Sequence, residues 1–125
     1  MNSPDIEYTY LRSFRFRLSM GLQKADKALS AIKGIKITNA HLEINYYATK
    51  EFFEFLIDNP KIDHLLLTFA NNTGQPQIDI VFDELALKND GVDGITLDYE
   101  NTEIPVLTAT YSYQVYRLVN SPQEE

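Results

Sequence analysis

The strongest constraint on this 125-residue chain is a two-residue hydrophobic period that returns along most of its length. From Tyr8 to Met20 the even positions carry Tyr8, Tyr10, Phe14, Phe16, Leu18 and Met20, while the odd ones include Ser13, Arg15, Arg17 and Ser19. A period of two sends successive side chains to opposite faces, so this segment is expected to be a strand with one apolar and one basic face. Arg12 interrupts the apolar face and is expected to stack on a tyrosine or pair with a carboxylate. The same period runs from Ile104 to Val119, and Ile78, Ile80 and Phe82 alternate with Asp79, Val81 and Asp83. Most of the apolar weight therefore belongs in strands.

Helical spacing is confined to two short stretches. Leu22, Ala25, Leu29 and Ile32 recur at intervals of three and four and fit a short amphipathic helix ended by Gly34. Thr49 opens a second helix as N-cap, and Glu51 stands in its first turn, where the helix dipole favours a carboxylate. Phe52, Phe53, Leu56 and Ile57 form its apolar stripe and Pro60 ends it. Between the helices, Ile35 and Ile37 alternate in one phase and Ala40, Leu42, Ile44 and Tyr46 in the other, as a bulge near Thr38-Asn39 would produce. Ile62 to Ala70, the turn Asn71 to Pro76 and the strand from Ile78 read as a β-hairpin that runs on through Leu85 and Leu87. Ile95, Leu97 and Tyr99 suggest a brief further strand before the last long one. The expected order is β-α-β-α-β-β-β-β. It forms a single α+β domain over residues 1–119, a mostly antiparallel β-sandwich or partly open barrel with one or two short helices. Asn120 to Glu125 is expected to be a mobile polar tail.

Composition closes several functional classes. The chain has no cysteine, which excludes a disulfide framework, a cysteine zinc site, an iron–sulfur cluster and thiol catalysis. A formal charge of −7 argues against sequence-independent nucleic-acid binding, which depends on neutralising phosphates. No apolar run approaches the roughly 18 residues of a membrane helix, and the start Met-Asn-Ser-Pro-Asp-Ile-Glu resembles no secretory signal. Membrane insertion is not expected, and a cytoplasmic location is. The charge is also unevenly spread: residues 1–36 hold seven basic and three acidic side chains, a net of +4, and residues 37–125 hold four against fifteen, a net of −11. The split means either two faces of opposite sign, suited to docking, or charges that mix once the segments interleave in the fold.

Catalytic and metal constellations are weak. His41 and His64 lack a second nitrogen ligand at metal spacing, which leaves them as solvated or capping side chains. With Asn89 at position 1, Asn89 to Glu100 approaches a calcium loop, but Gly91 offers no oxygen at position 3, so Gly91 and Gly94 are expected to be turn glycines. Asp79 and Asp83 share a strand face that the apolar alternation assigns to solvent, which argues against a glycosidase pair. No phosphate loop, Walker pattern or nucleophile elbow is present. No catalytic residue, cofactor or metal is therefore expected, and the chain is not expected to be an enzyme. The eight tyrosines sit mostly on strands, where they suit either subunit interfaces or the rim of a β core.

The order of features from the second helix onward resembles the tail-tube superfamily, which includes phage tail-tube proteins and the haemolysin-coregulated protein of type VI secretion. The features are a strand leading into Ala48-Thr49-Lys50-Glu51-Phe52-Phe53-Glu54-Phe55-Leu56, the linker Pro60-Lys61-Ile62, and the strand Leu65-Leu66-Leu67-Thr68-Phe69. A polar turn at Asn72-Thr73-Gly74, the long strand Ile78 to Leu87 and a closing segment Ile104 to Leu118 follow. Phe14-Arg15-Phe16-Arg17-Leu18 also resembles the family's opening strand. Tube proteins usually have a further strand and a long extended loop where this chain has only Gly21 to Gly34, a departure from the standard tube that leaves a variant tube, a cap or baseplate subunit, or an unrelated α+β fold as the readings.

The resemblance implies a ring-forming subunit that pairs strand edges with copies of itself and stacks head to tail with them and with other secretion or phage-tail-like components. A protein exported with its secretion assembly would fit the same picture. Arg15, Arg17, Lys24 and Lys27 on one ring face meeting Asp90 and Asp93 on the next is the expected interface. The competing expectation is a small acidic protein-binding module, such as a toxin-neutralising immunity protein.

Overall fold

The computed structural model describes Leu11, residues 16–20 and residues 26–121. The remainder of the expected first strand, including Arg12, and residues 122–125 of the expected tail lie outside the described residues. The elements are β1 (Phe16–Ser19), α1 (Asp26–Leu29), β2 (Ile32–Thr38), β3 (His41–Tyr47), α2 (Lys50–Asp58), β4 (Lys61–Ala70), β5 (Pro76–Asn89), β6 (Val106–Ser112) and β7 (Val115–Asn120). All pairings are antiparallel, in the order β1-β4-β5-β6-β3-β2, with β7 also on β5. The fold is α+β, an open, mostly antiparallel sheet with two short helices.

β6 and β7 continue one line. Ala86 faces Ser112 and Asp83 faces Val115, the same register on either side of Tyr113 and Gln114. The first part of this line pairs with β3 and the last part with β5. Its interruption belongs to a wider feature. Glu84 has φ 53°, and the register aligns it with Asp63 on β4 and Gln114 between β6 and β7. Across this rung the core-facing positions change parity: Phe82 and Leu85 are both buried on β5, and so are Ile62 and Leu65 on β4. A non-glycine residue in the left-handed region is held there by its surroundings, here by ladders on both sides.

α2 forms as the local sequence dictates. The Thr49 hydroxyl accepts the Phe52 N–H at 3.1 Å, and the Asn59 amide and backbone N–H both donate to the Phe55 carbonyl before Pro60. Its buried stripe is Phe52, Phe55 and Leu56, with Phe53 half-buried and Ile57 75% exposed. The expected stripe thus misplaced Ile57 and omitted Phe55, because spacing alone does not fix which arc of a short helix meets the sheet. Phe52 stacks on Tyr46 with ring centroids 4.2 Å apart, and the cluster extends through Leu18, Leu29, Leu42, Ile44, Leu65, Leu67, Phe82, Leu107 and Tyr111. Each such side chain contributes roughly 1.5–3 kcal/mol on burial.

Other expectations are corrected. Leu22 and Ala25 of the first expected helix lie outside the described residues; its C-terminal side is corrected, because α1 ends at Leu29 and Ile32 and Gly34 belong to β2, which pairs with β3. The phase change near Thr38-Asn39 is a two-residue hairpin turn rather than a bulge: Thr38 faces His41, with Ala40 at φ 68° between them. Residues 95–99 form no strand: the segment runs into turns held by the Asp98 and Asn101 side chains. The tail begins later than Asn120, which closes β7, and Ser121 is buried. No helix among the described residues is long and apolar enough to cross a membrane.

Candidate assembly interface

Arg15 and Lys24 of the expected interface lie outside the described residues. Arg17 on β1 and Lys27 in α1 are exposed, as are Asp90 and Asp93 in the loop after β5. The chain does not bring the two signs together. Arg17 faces Thr68, which faces Asp79 early in β5, whereas Asp90 follows the other end of that strand. Among the described residues no ion pair joins Arg17 or Lys27 to Asp90 or Asp93. Lys27 lies 3.9 Å from Glu51 in an exposed pair of little energetic weight. The Asp90 carboxylate accepts the Val92 N–H at 2.9 Å, and its carbonyl accepts the Tyr46 hydroxyl at 2.6 Å. Burial, with the Asp90 charge second, pushes that hydroxyl's pKa up to about 12.

The basic residues border a groove. Arg17, Phe16 and Leu18 of β1 face Leu29 and Ser30 at the end of α1 and Ile32 and Lys33 of β2 across about 420 Å³. β1 and β2 are the two ends of the strand order, so the sheet curls until its edges approach, and among the described residues they do not pair. The groove therefore has apolar walls from the core and cationic lips from Arg17 and Lys33. Neither Ser30 nor Lys33 was singled out by the sequence, because their proximity to Arg17 exists only once the edges meet.

The acidic counterpart is the strap of residues 90–105 between β5 and β6. It contains Asp90, Asp93, Asp98, Glu100 and Glu103 and no Lys or Arg. Gly91, at φ 87°, lies so close to Thr108 that a Cβ there would stand 2.4 Å from the Thr108 carbonyl oxygen. Half-buried Ile95 packs against the core. Beyond it, side-chain-capped turns replace a ladder: Asp98 accepts the Glu100 N–H and Asn101 the Glu103 N–H, each at 2.9 Å. Leu97 is 75% exposed, Tyr99 is fully exposed and Ile104 is exposed. The alternation of Ile95, Leu97 and Tyr99 was a true apolar signal attached to the wrong structure.

β7 is the second exposed apolar surface. Every residue of Val115–Asn120 is exposed, with Leu118 at 67%. The Ser121 N–H donates to the Gln77 carbonyl, and antiparallel pairs alternate, so Val115, Arg117 and Val119 bond to β5. Tyr116, Leu118 and Asn120 then direct their N–H and C=O groups outward, where no described strand pairs with them. The sequence signal for this edge was apolar residues on both parities from Val115 to Val119, which a one-sided strand does not require.

The carboxylates of β5 are not a solvated face. Asp79 is 5% exposed, and its Oδ1 accepts the hydroxyls of Thr68 at 2.8 Å and Ser121 at 2.7 Å. Asp83 meets His64 Nδ1 at 2.5 Å and Arg117 Nε at 3.4 Å. The hydrogen bond from His64 is the largest influence on the Asp83 carboxyl; burial, next in size, opposes it, and the hydrogen bond from Arg117 with both positive charges keeps the pKa below its ordinary value. These contacts tie β7 to β5. Alternation could not reveal them, because it ranks apolar against polar side chains and cannot see partners on other strands.

In comparisons with known proteins, no family model and no curated sequence matches the chain.

Proposed function

We propose that this protein is a structural subunit of a self-assembling ring of the tail-tube kind, serving a contractile-injection or type VI secretion-like machine as tube, cap or baseplate. The observation that carries this reading is β7, an apolar edge strand exposed on both faces with its outer hydrogen-bonding groups unpaired among the described residues. Such an edge is a ready template for another strand, and a strand of a neighbouring copy can pair with it and cover its apolar side chains. The groove and the strap add two surfaces of opposite charge, which suits head-to-tail contacts.

Sedimentation velocity with negative-stain imaging tests the proposal. The wild type is expected to form multi-subunit rings. Leu118→Pro removes an outward N–H without touching the β5 ladder and should yield a folded monomer with an unchanged circular-dichroism spectrum. A wild type that stays monomeric at every concentration would sink the ring reading. It would point instead to the acidic binding module, with the strap carboxylates facing a basic partner.

A further inference from the structure

We infer that the tip of the strap, Leu97-Asp98-Tyr99-Glu100, is a plug that enters the groove between β1 and β2 of a second copy of this chain. The inference rests on the assembly reading and specifies which surfaces meet. The groove offers apolar walls in Phe16, Leu18, Leu29 and Ile32, with Arg17 and Lys33 at its lips. The tip offers the inverse order, apolar Leu97 and Tyr99 alternating with the carboxylates of Asp98 and Glu100. Both partners are therefore matched twice, in apolarity and in sign. A volume of about 420 Å³ lies within the ~300–1,000 Å³ range of ligand pockets and accommodates a tyrosine ring.

The tip does not fill the groove of its own chain, since Leu97 and Tyr99 remain exposed. Burying a tyrosine ring while its hydroxyl stays at the polar lip is the use to which interfaces put this residue. The strap is held at its base by the Gly91–Thr108 approach, the Tyr46–Asp90 hydrogen bond and Ile95, so its tip is presented from a fixed root. Groove and tip are different surfaces, and the contact is therefore heterologous: each copy gives its tip to one neighbour and receives another's. It also relocates the acidic side of the expected interface, from Asp90, whose carbonyl is tied to Tyr46 at the root of the strap, to Asp98 and Glu100 at its tip.

The cysteine-free sequence gives a background-free test. Full-length Tyr99→Cys and Ser30→Cys proteins, one carrying a mass tag, are mixed and oxidised. Expected is a mixed disulfide dimer formed about tenfold more than between Tyr99→Cys and a Thr73→Cys control, because seating raises the effective concentration of the two thiols. Equal yields would overturn the inference. Sedimentation of the wild type separates the two failures. Rings without the mixed disulfide remove the plug and leave the assembly reading standing, whereas a monomeric wild type without it removes both. Arg17→Glu should lower the disulfide yield, and combining it with Asp98→Arg and Glu100→Arg should restore it; lowering without restoration would also count against the plug.

Discussion

At the scale of single residues, Gly91 is the most tightly constrained of the described glycines. It combines φ 87° with a backbone approach to Thr108 that leaves no room for a Cβ. Gly91→Ala must strain the left-handed backbone and push β6 away, so a loss of about 2–4 kcal/mol is expected, by analogy with overpacked and strained sites. Urea unfolding should show a lower midpoint at unchanged slope. By contrast, Gly94, also at positive φ, has nothing within 4 Å, so its alanine variant meets backbone strain alone. Asp83 carries a pH dependence of definite sign. Its folded pKa is depressed below 3.8, so its contribution is present above that value and disappears as pH falls through the folded pKa. In carboxyl NMR titrations of His64→Phe the Asp83 resonance should titrate at higher pH than in the wild type. An unmoved titration would show that His64 is not the dominant partner.

Elements differ in how far their sequence determines them. α2 was legible because Thr49, Glu51 and Pro60 act on their own neighbours, and the turn after Ala70 was legible because Asn71 Oδ1 gathers the N–H groups of Thr73 and Gln75 and the Thr73 hydroxyl. The phase change at Thr38-Asn39 fits a bulge or a two-residue hairpin equally in one dimension, and only the pairing of Thr38 with His41 separates them. The strap differs for a related reason, since alternation marks an apolar segment without showing that turns capped by Asp98 and Asn101 keep it off a sheet edge. Burial also ranks positions within α2. Phe52→Ala should cost about 3–5 kcal/mol, whereas Ile57→Ser should stay within about 0.5 kcal/mol, as usual for core truncations and for surface changes. Thermal or urea unfolding of the pair checks this, and comparable losses would mean that the helix seats on a different arc.

For the whole molecule, the sequence indicated the α+β class, the β-rich order and a separation of charge, while the surfaces that could use the charge emerged only from closure of the sheet toward itself. Arg17 and Lys33 are distant in sequence and become lips of one groove because β1 and β2 end the strand order on opposite sides. The two proposed contacts have different physics, and salt should separate them. Edge pairing through β7 depends on backbone hydrogen bonds and apolar contact, whereas the plug adds charge pairs at its lips. Raising ionic strength from about 0.15 M to 1 M shortens the screening length from about 8 Å to 3 Å. Sedimentation should then show heterologous plug contacts released before β7-paired rings, and simultaneous loss of both would argue against two separate surfaces.

The rung of Asp63, Glu84 and Gln114 bears on how this fold can change length over time. β4 and β5 carry their parity switch at the same level, and Gln114 stands beside it where β6 passes into β7, so each line has the residue its neighbours need in order to stay in step. Removing Glu84 alone would leave β5 one residue short against β4 on one side and β7 on the other. An isolated deletion there is therefore forbidden in a way that a deletion in the strap is not. Descendants of this chain that lose the switch must lose it on all three strands together or shift one strand past the others, so insertions and deletions at these three positions should be inherited as a set.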